Sequence, residues 1–273
     1  MSNEQNFNAV GRGDAGPGGP GAAPLTLALD TATERRSVAL VRGEEVLAAR
    51  SADLREGGAA SVLAEIDEVL RAAAVSVGEV ELFAAASGPG SFTGLRAGIA
   101  TLKALSVTLG RPAVGVPTLH AIAYAARPAR LLAALVPAGR REVFAQFLSV
   151  GAGGEARELS TPAHLSPARL FERAAEFGGG MKWAGGGAHK HAELIREAAR
   201  ELGFEFAELS ESGRDAAEGA WALAPPVQSL AREVALAARA RLLRGGPAGA
   251  HELRPLYVRP SDAELQEQCQ QPS

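Results

Sequence analysis

Residues 25–49, LTLALDTATERRSVALVRGEEVLAA, contain three short runs of mostly apolar residues, and the first run ends in a carboxylate at Asp30. The pair Gly43-Glu44, between the second and third runs, suits a tight turn between strands. We interpret the runs 25–30, 37–41 and 45–49 as three strands of one meander. The meander is the start of the first folded unit of the chain.

A helix, a strand and a second helix follow the meander. Apolar residues recur at helical spacing from Val62 to Ala73, with charged residues between them, which predicts an amphipathic helix. The run 82–86 predicts a buried strand, and the tight loop Ser87-Gly88-Pro89-Gly90-Ser91 separates it from a long helix over about 93–109. The predicted order of the first unit is therefore β-β-β-α-β-α.

The same order recurs in the second half of the chain. Three strand-like segments precede a helix whose start is marked by Ser166 as N-cap and Pro167 as first helical residue. A strand near Trp183 and a helix from about Ala188 complete the second unit. A unit that occurs twice in this order predicts a duplicated actin-like α/β fold with two lobes, the ATPase fold of sugar kinases, Hsp70 and actin. The other predicted elements are the strands near 131–136, 142–150 and 155–159, a final helix over about 227–243 and a short strand around 256–258.

We expect four segments along the chain. Residues 1–23 are rich in Gly and Pro and cannot bury enough apolar surface to become ordered, which predicts a disordered extension. The first lobe is expected at 24–117, completed by the 227–243 helix, and the second lobe at 118–259. Residues 260–273 are expected to form a flexible tail.

Composition excludes several classes of protein. The formal net charge of −3 argues against a protein that holds nucleic acid or an anionic membrane mainly by its own electrostatic field. A single cysteine, Cys269, excludes an intramolecular disulfide framework. The strongly apolar segments have the length of strands, far below the roughly 20 residues of a membrane helix. We expect a globular cytoplasmic protein without a membrane span, whose contact with RNA would need a partner.

Two places in the sequence could face a phosphate group. One is the end of the first strand, and the other is the loop before the 93–109 helix, where free N–H groups and the helix dipole favour an anion. Each place also has a structural interpretation, because Asp can cap its own turn and Gly allows a tight strand-to-helix turn. The loop is not a Walker motif, since no lysine follows its last glycine. A vestigial nucleotide site would comprise Asp30, Thr31, Thr33, Gly88, Gly90 and Ser91.

Histidine spacing indicates no metal site. None of the five histidines lies four residues from another, the spacing that places two imidazoles on one helix face. His189 and His191 would lie about 200° apart around a helix axis, so we interpret them as a solvated pair at a helix start. We expect no metal, no intrinsic cofactor and no catalytic residue in this chain.

The 93–109 helix is apolar on nearly all sides, and Arg96 and Lys103 are its charged residues. Such a helix is buried on more than its sheet-facing side. Either the second lobe or a partner protein could cover it, and the amino-acid pattern alone leaves both open.

Two segments, LALDTAT at 27–33 and GPGSFTGLRAG at 88–98, resemble the most characteristic motifs of the TsaB (YeaZ) family. Similar segments at 115–119 and 255–259 extend the resemblance over about 25–259. It implies a non-catalytic scaffold or dimerisation subunit of the complex that forms threonylcarbamoyladenosine at position 37 of tRNAs reading ANN codons. The implied partners are a catalytic TsaD-like subunit, a TsaE-like ATPase and tRNA bound through the complex. Nucleotide would bind only at the level of the complex, and the free subunit could be a homodimer.

The resemblance also implies a partner surface. TsaB proteins pair with TsaD through helices of the first lobe, which favours a partner over the second lobe as the cover of the 93–109 helix. Two departures from the family put side-chain roles in doubt: Gly58 lies where members often carry His, and Pro137 and Gly139 replace charged residues at the start of a hairpin. The interface implied in this way includes Val62, Ile66, Ala97, Ala100, Lys103 and Ala104.

The alternative function is a small-molecule kinase or ATPase with the same fold. Such an enzyme would need a second acidic residue from the other lobe and a loop for adenosine, for which Gly185-Gly186-Gly187 is the candidate. ATP hydrolysis by the chain alone would separate this enzyme from a scaffold.

Overall fold

The computed structural model describes residues 23–53, 60–210 and 218–258, which form two α/β lobes. The expectations for residues 1–22, for Gly58 and for the tail 260–273 with Cys269 lie outside the described residues. The elements of the first lobe are β1 Leu25–Asp30, β2 Arg35–Arg42, β3 Glu45–Asp53, α1 Ala60–Ala72, β4 Leu82–Ala86, α2 Phe92–Leu109 and β5 Ala113–Val116.

The sheet of the first lobe has the strand order β3-β2-β1-β4-β5. Its central strand β1 pairs antiparallel with β2 and parallel with β4. All six residues of β1 are buried, because a central strand has a neighbour on each side and helices on both faces. Asp30, at the carboxyl end of this strand, therefore lies in the interior of the protein.

The second lobe repeats this topology. Its sheet has the order β11-β12-β10-β6-β7-β8, and β9 pairs with β7. The central strand β6 pairs antiparallel with β7 and parallel with β10, as β1 does with β2 and β4. The elements are β6 Ala129–Gly139, β7 Glu142–Val150, β8 Ala156–Glu158, β9 Ala163–Leu165, α4 Pro167–Phe177, β10 Lys182–Ala184, α5 Gly186–Lys190, α6 Ala192–Glu201, β11 Phe206–Glu208 and β12 Trp221–Leu223.

Two further helices, α3 (Thr118–Ala125) and α7 (Leu230–Leu243), link and complete the lobes. α7 packs on β1, β2, β4 and β5, so the last helix of the chain belongs to the core of the first lobe. α3 contacts α7 on one side and β6 and β7 on the other, and it thereby joins the two sheets. Of the remaining helices of the first lobe, α1 packs on β2 and β3, and α2 packs on β4 and β5.

The structure differs from the sequence-based expectation in several short elements. Residues 113–116 form β5, a strand that the predicted order of the first unit did not include, because parallel pairing with β4 supplies the backbone partners. Residues 256–258 do not form the predicted strand. The N–H of Leu256 donates to the Ser87 carbonyl at 2.6 Å, but these three residues do not pair with a neighbouring strand. Of the helices in the described ranges, none is both long and apolar enough to cross a lipid bilayer.

Candidate functional site

The turn after β1 is closed by its own carboxylate. Asp30 is fully buried, and its Oδ1 accepts hydrogen bonds from the N–H groups of Ala32 at 2.8 Å and Thr33 at 3.3 Å. The Thr33 hydroxyl donates to Oδ2. Burial raises the pKa of Asp30 to about 6, although the hydrogen bonds from Thr33 and Ala32 act in the opposite direction. Both carboxylate oxygens are thus engaged within a three-residue span, as expected for a turn cap.

The loop before α2 is also engaged within the protein. The N–H of Gly88 donates to Thr118 Oγ1 at 3.0 Å, and its carbonyl accepts from the Thr118 N–H at 2.7 Å. The Ser91 N–H donates to the Ala32 carbonyl at 2.8 Å, and the Ser91 hydroxyl caps α2 by accepting from the Gly94 N–H at 3.2 Å. The N–H groups of Gly88 and Ser91, two of the candidates for anion binding, therefore already have partners in the chain.

Two glycines on one face of α2 bring this helix into direct contact with the β1–β2 turn. A Cβ atom on Gly94 would overlap the Thr31 carbonyl, and a Cβ on Gly98 would overlap the Thr31 side chain. Gly90 has the same relation to the carbonyl of Ala32. The turn that carries Asp30, Thr31 and Thr33 thus packs on the segment that carries Gly90 and Ser91, while Gly88 contacts Thr118 and Leu256. Gly94 and Gly98 lie four residues apart on one helix face, a signal of close packing that the sequence analysis did not use.

The C-terminal segment lies over the same loop. Arg96 of α2 stacks its guanidinium 3.7 Å from the centre of the Phe92 ring and donates from Nε to the Tyr257 hydroxyl at 3.0 Å. A Cβ on Gly88 would approach the Leu256 carbonyl to 2.5 Å. Segments near residues 30, 90 and 256, far apart in sequence, therefore form one packed cluster.

The glycine triplet of the second lobe likewise serves packing. Gly185 has a φ of +93°, and a Cβ there would overlap the Leu135 carbonyl of β6. A Cβ on Gly187 would lie 2.9 Å from the Leu135 Cβ. These contacts let α5 lie directly against β6, with Gly186 exposed between the two packed glycines.

The histidines at the end of α5 are not a solvated pair, contrary to the sequence-based interpretation. His191 is buried, and the imidazole of His189 is half-buried with its Nε2 enclosed. Burial lowers the pKa of His191, and the nearby charges of Lys190 and Arg141 lower it further. The short helix α5 packs so closely on β6 that its following residue is drawn into the interior. In the described part of the chain, no three His, Cys, Asp or Glu residues are grouped closely enough to hold a metal ion.

The turn that joins β6 to β7 differs in character from the turn after β1. Gly139, Arg140 and Arg141 have φ values of +79°, +45° and +63°. Arg140 and Arg141 are exposed, and Lys190 lies nearby on α5 with its Nζ 4.0 Å from the Glu34 carboxylate of the first lobe. Arg140 and Arg141 therefore add positive charge to the end of the β6–β7 hairpin, and Lys190 and Arg141 both lie near enough to His191 for their charges to act on it.

The outward faces of α1 and α2 carry exposed apolar residues. Leu63 on α1 is 57% exposed and Val107 on α2 is 67% exposed, while Ala100, Lys103 and Ala104 are exposed between them in sequence and Ala97 is half-buried. We call Leu63, Ala100, Lys103, Ala104 and Val107 the α1–α2 surface. The second lobe does not cover it, so of the two covers considered for α2 the second lobe is ruled out on this face.

Two residues expected at the partner interface lie elsewhere. Val62 and Ile66 are 3% and 4% exposed and belong to the core of the first lobe. Their helical spacing places them on the stripe of α1 that faces the sheet, so they pack α1 against the sheet and are not available to a partner. Leu63, one position away, points outward. It has helical spacing to Ile66 and Leu70, so apolar periodicity alone did not separate it from the residues that face the sheet.

Known proteins resemble this chain along most of its length. A family model described as "TsaD: tRNA N6-adenosine threonylcarbamoyltransferase" matches residues 59–258. The protein named tRNA threonylcarbamoyladenosine biosynthesis protein TsaB from Escherichia coli is 32% identical over 175 residues, which cover 63% of this chain and 75% of that protein. The chain belongs to the TsaB (YeaZ) family. It also belongs to the wider family that the matching model describes.

Other TsaB proteins support the same assignment. The one from Haemophilus influenzae is 36% identical over 126 residues, which cover 43% of this chain and 51% of that protein. The solved structure of YeaZ from Pseudomonas aeruginosa superposes with a TM-score of 0.65 at 26% identity and covers 86% of this chain and 99% of that one. With the twice-repeated sheet topology, this confirms the duplicated actin-like fold. In this TsaB chain the two motifs that suggested the family are the β1–β2 turn and the α2 start, the segments that pack on each other.

Proposed function

We propose that this chain is the non-catalytic scaffold subunit of the complex that forms threonylcarbamoyladenosine on tRNA, and that it binds a TsaD-like catalytic subunit. Membership of the TsaB family makes it a protein of tRNA threonylcarbamoyladenosine biosynthesis, the process that its relatives' names state. A TsaE-like ATPase, and tRNA bound through the complex, complete the proposed assembly. The α1–α2 surface is the observation that carries the partner proposal.

The α1–α2 surface has the character of a protein-binding face. Large apolar side chains at Leu63 and Val107 are exposed on helices that otherwise pack well on their sheet. Ala100 and Ala104 lie one turn apart on the exposed face of α2 and have small side chains, so a partner helix could approach the backbone closely there. Exposed apolar area of this kind is a common mark of protein interfaces. The same surface would serve a homodimer when the catalytic partner is absent.

The closed β1–β2 turn supports a non-catalytic role. An ATPase or kinase of this fold would need the Asp30 carboxylate free to orient a metal-bound water, and turn amides free to face phosphate. Here Asp30 binds Ala32 and Thr33, and Thr31 lies against the glycine face of α2. Opening this turn would expose packed backbone and break several buried hydrogen bonds, each with a free-energy cost of about 1–3 kcal/mol. Nucleotide is therefore proposed to bind only at the level of the complex.

The partner surface is tested by placing a charge on it. In the variant Ala104→Glu, a carboxylate buried by the partner would cost about 4 kcal/mol, a roughly thousandfold loss of affinity. Facing water in the free subunit, it should leave the melting temperature nearly unchanged. Ala168→Glu on exposed α4 of the second lobe is the matched control. Binding to the TsaD-like protein is measured by co-purification and calorimetry.

Two outcomes would contradict the proposal. If Ala104→Glu folds and binds the TsaD-like protein as well as Ala168→Glu does, the α1–α2 surface is not the interface. If the purified chain hydrolyses ATP and Asp30→Ala abolishes that turnover, the chain is an enzyme of the alternative class and not a scaffold.

A further inference from the structure

The turn between β6 and β7 holds two arginines in a backbone conformation that arginine rarely adopts. Gly139 and Glu142 are register partners, so Arg140 and Arg141 are the two turn residues, and both have positive φ. Two-residue hairpins with two positive φ values favour Asn and Gly, which tolerate that conformation. Strained residues of this kind are typical of binding and catalytic sites. The side chains of Arg140 and Arg141 are thus the part of this turn that needs explanation.

The two arginines do not stabilise the fold through ion pairs. Both are exposed, and neither guanidinium has a carboxylate partner among residues 23–53, 60–210 and 218–258. The neighbouring Glu142 carboxylate pairs with His164 instead, since His164 Nε2 lies 2.9 Å from Glu142 Oε2. In the first lobe, Glu34 approaches Lys190 only to 4.0 Å, and both side chains are at least half exposed. An exposed pair of this kind is weak and is easily replaced by another anion.

The positive charge at this turn extends onto α5. The α5 helix packs on β6, which brings Lys190 to the same side of the lobe as the turn. His191 lies close enough to Lys190 and Arg141 for both charges to disfavour its protonation, so the three side chains share one neighbourhood. Its buried Nε2 has no hydrogen-bond partner in the part of the chain that the structure describes.

We propose that Arg140, Arg141 and Lys190 form a binding site for the phosphodiester backbone of RNA. Guanidinium groups bind phosphate oxygens through two parallel hydrogen bonds, and an ammonium group adds a point charge. The three side chains are exposed on a hairpin end and on α5, so a long polyanion can reach them without entering a pocket. Phosphates spaced along an extended backbone can contact cations on both elements at once, which favours RNA over a mononucleotide.

This inference rests on the proposed function, since the complex would bring tRNA to the hairpin. The chain has a formal net charge of −3, so three basic groups cannot hold RNA tightly against its overall repulsion. They would orient RNA that is held mainly by the rest of the assembly. Phosphate contacts carry no sequence information and position the nucleic acid.

The site is tested in the assembled complex with the double variant Arg140→Gln/Arg141→Gln. Affinity for unmodified tRNA is measured by fluorescence anisotropy at several salt concentrations. Loss of two phosphate contacts should weaken binding by at least about tenfold at 0.1 M salt, and should reduce the slope of log K against log salt by roughly 1.5 to 2. Arg169→Gln/Arg173→Gln, on exposed α4, makes the same change of charge and should leave both quantities nearly unchanged. Arg140→Lys/Arg141→Lys keeps the charge and should retain most of the affinity.

Each failure of this experiment has a distinct meaning. If the complex forms and binds tRNA but the hairpin and α4 variants behave alike, the RNA site is wrong and the scaffold proposal stands. If the hairpin variant loses ATP binding in calorimetry while tRNA binding is unchanged, the site takes a mononucleotide and the RNA proposal is overturned. If no complex forms, the scaffold proposal fails, and the isolated chain at low salt still tests the site: equal RNA binding by the wild type and the hairpin variant would refute it.

Discussion

The β1–β2 turn and the β6–β7 turn occupy equivalent places in the two lobes, because each joins the central strand to its antiparallel neighbour. The first turn is buried and closed by the Asp30 carboxylate, and it packs against α2. The second turn is exposed and carries Arg140 and Arg141 in a strained conformation, and a Cβ on its Gly139 would meet nothing within 4 Å. One sheet topology thus supports two turns of opposite chemical character.

The glycines of the following helices explain the difference. In the first lobe, Gly94 and Gly98 let α2 contact the turn itself. In the second lobe, Gly185 and Gly187 let α5 contact Leu135 of β6, which lies several residues before the turn. The position of the closest helix contact therefore decides whether the hairpin end is sealed or left open to a ligand. Three predictions test this explanation, in order of decreasing effect on stability.

The largest effect is expected for Gly94→Ala. The new methyl group would overlap the Thr31 carbonyl, and backbone cannot move aside as a flexible side chain can. Overpacking of this severity costs about 3 kcal/mol, which lowers the melting temperature by about 6–12 °C in a protein of this size. Gly186→Ala is the control, because its Cβ would lie 3.7 Å from the nearest atom of Pro137. Equal melting temperatures for the two variants would mean that α2 does not seal the turn.

A smaller, pH-dependent effect is expected for Asp30→Asn. The folded pKa of Asp30, about 6, lies above the ordinary pKa of an aspartate, 3.8. The folded state therefore holds this proton more tightly, so the contribution of Asp30 to stability is full below about pH 4 and is lost as the pH rises through about 6. Asn can still accept the turn hydrogen bonds without ionising. Above pH 7 the variant should equal or exceed the wild type in stability. As the pH falls toward 4, the free energy of unfolding of the wild type should rise relative to that of the variant by about 2–3 kcal/mol.

The pH effect is measured as the difference in urea midpoint between Asp30→Asn and the wild type at pH 4.5 and pH 7.5. Asp67→Asn, which alters an exposed carboxylate on α1, provides the comparison. A difference for Asp30→Asn that stays constant with pH would show that this carboxylate is not held in a desolvated site.

The smallest effect on stability is expected at the open turn. In Arg140→Asn/Arg141→Gly, residues suited to positive φ replace the arginines, which should stabilise the fold by about 1–2 kcal/mol. The melting temperature should rise by a few degrees, while binding of tRNA to the complex should weaken. A variant that is less stable than the wild type would show that the arginine side chains support the hairpin, against our interpretation.

The strand and helix order was predictable because it depends on local pattern. Alternating strands and amphipathic helices leave a periodic signal, and the unit β-β-β-α-β-α could be recognised twice. Periodicity was less informative about which residues of α1 stay exposed for the proposed partner surface. Val62 and Ile66 lie on the apolar stripe that faces the core, whereas Leu63, which shares helical spacing with Ile66, is exposed. Apolar periodicity reports burial in the lobe before it reports an interface.

Sequence alone determined the duplicated actin-like topology, the position of Asp30 at the end of the central strand and the family resemblance, since each depends on residues close together in the chain. Only the tertiary structure decided that Asp30 and the loop before α2 close on each other, and that His191 is buried while Arg140 and Arg141 remain free. The physical reason is that these outcomes depend on which backbone atoms a glycine allows into contact. Gly94 and Thr31 are separated by more than sixty residues, and no local pattern specifies what a missing Cβ will face.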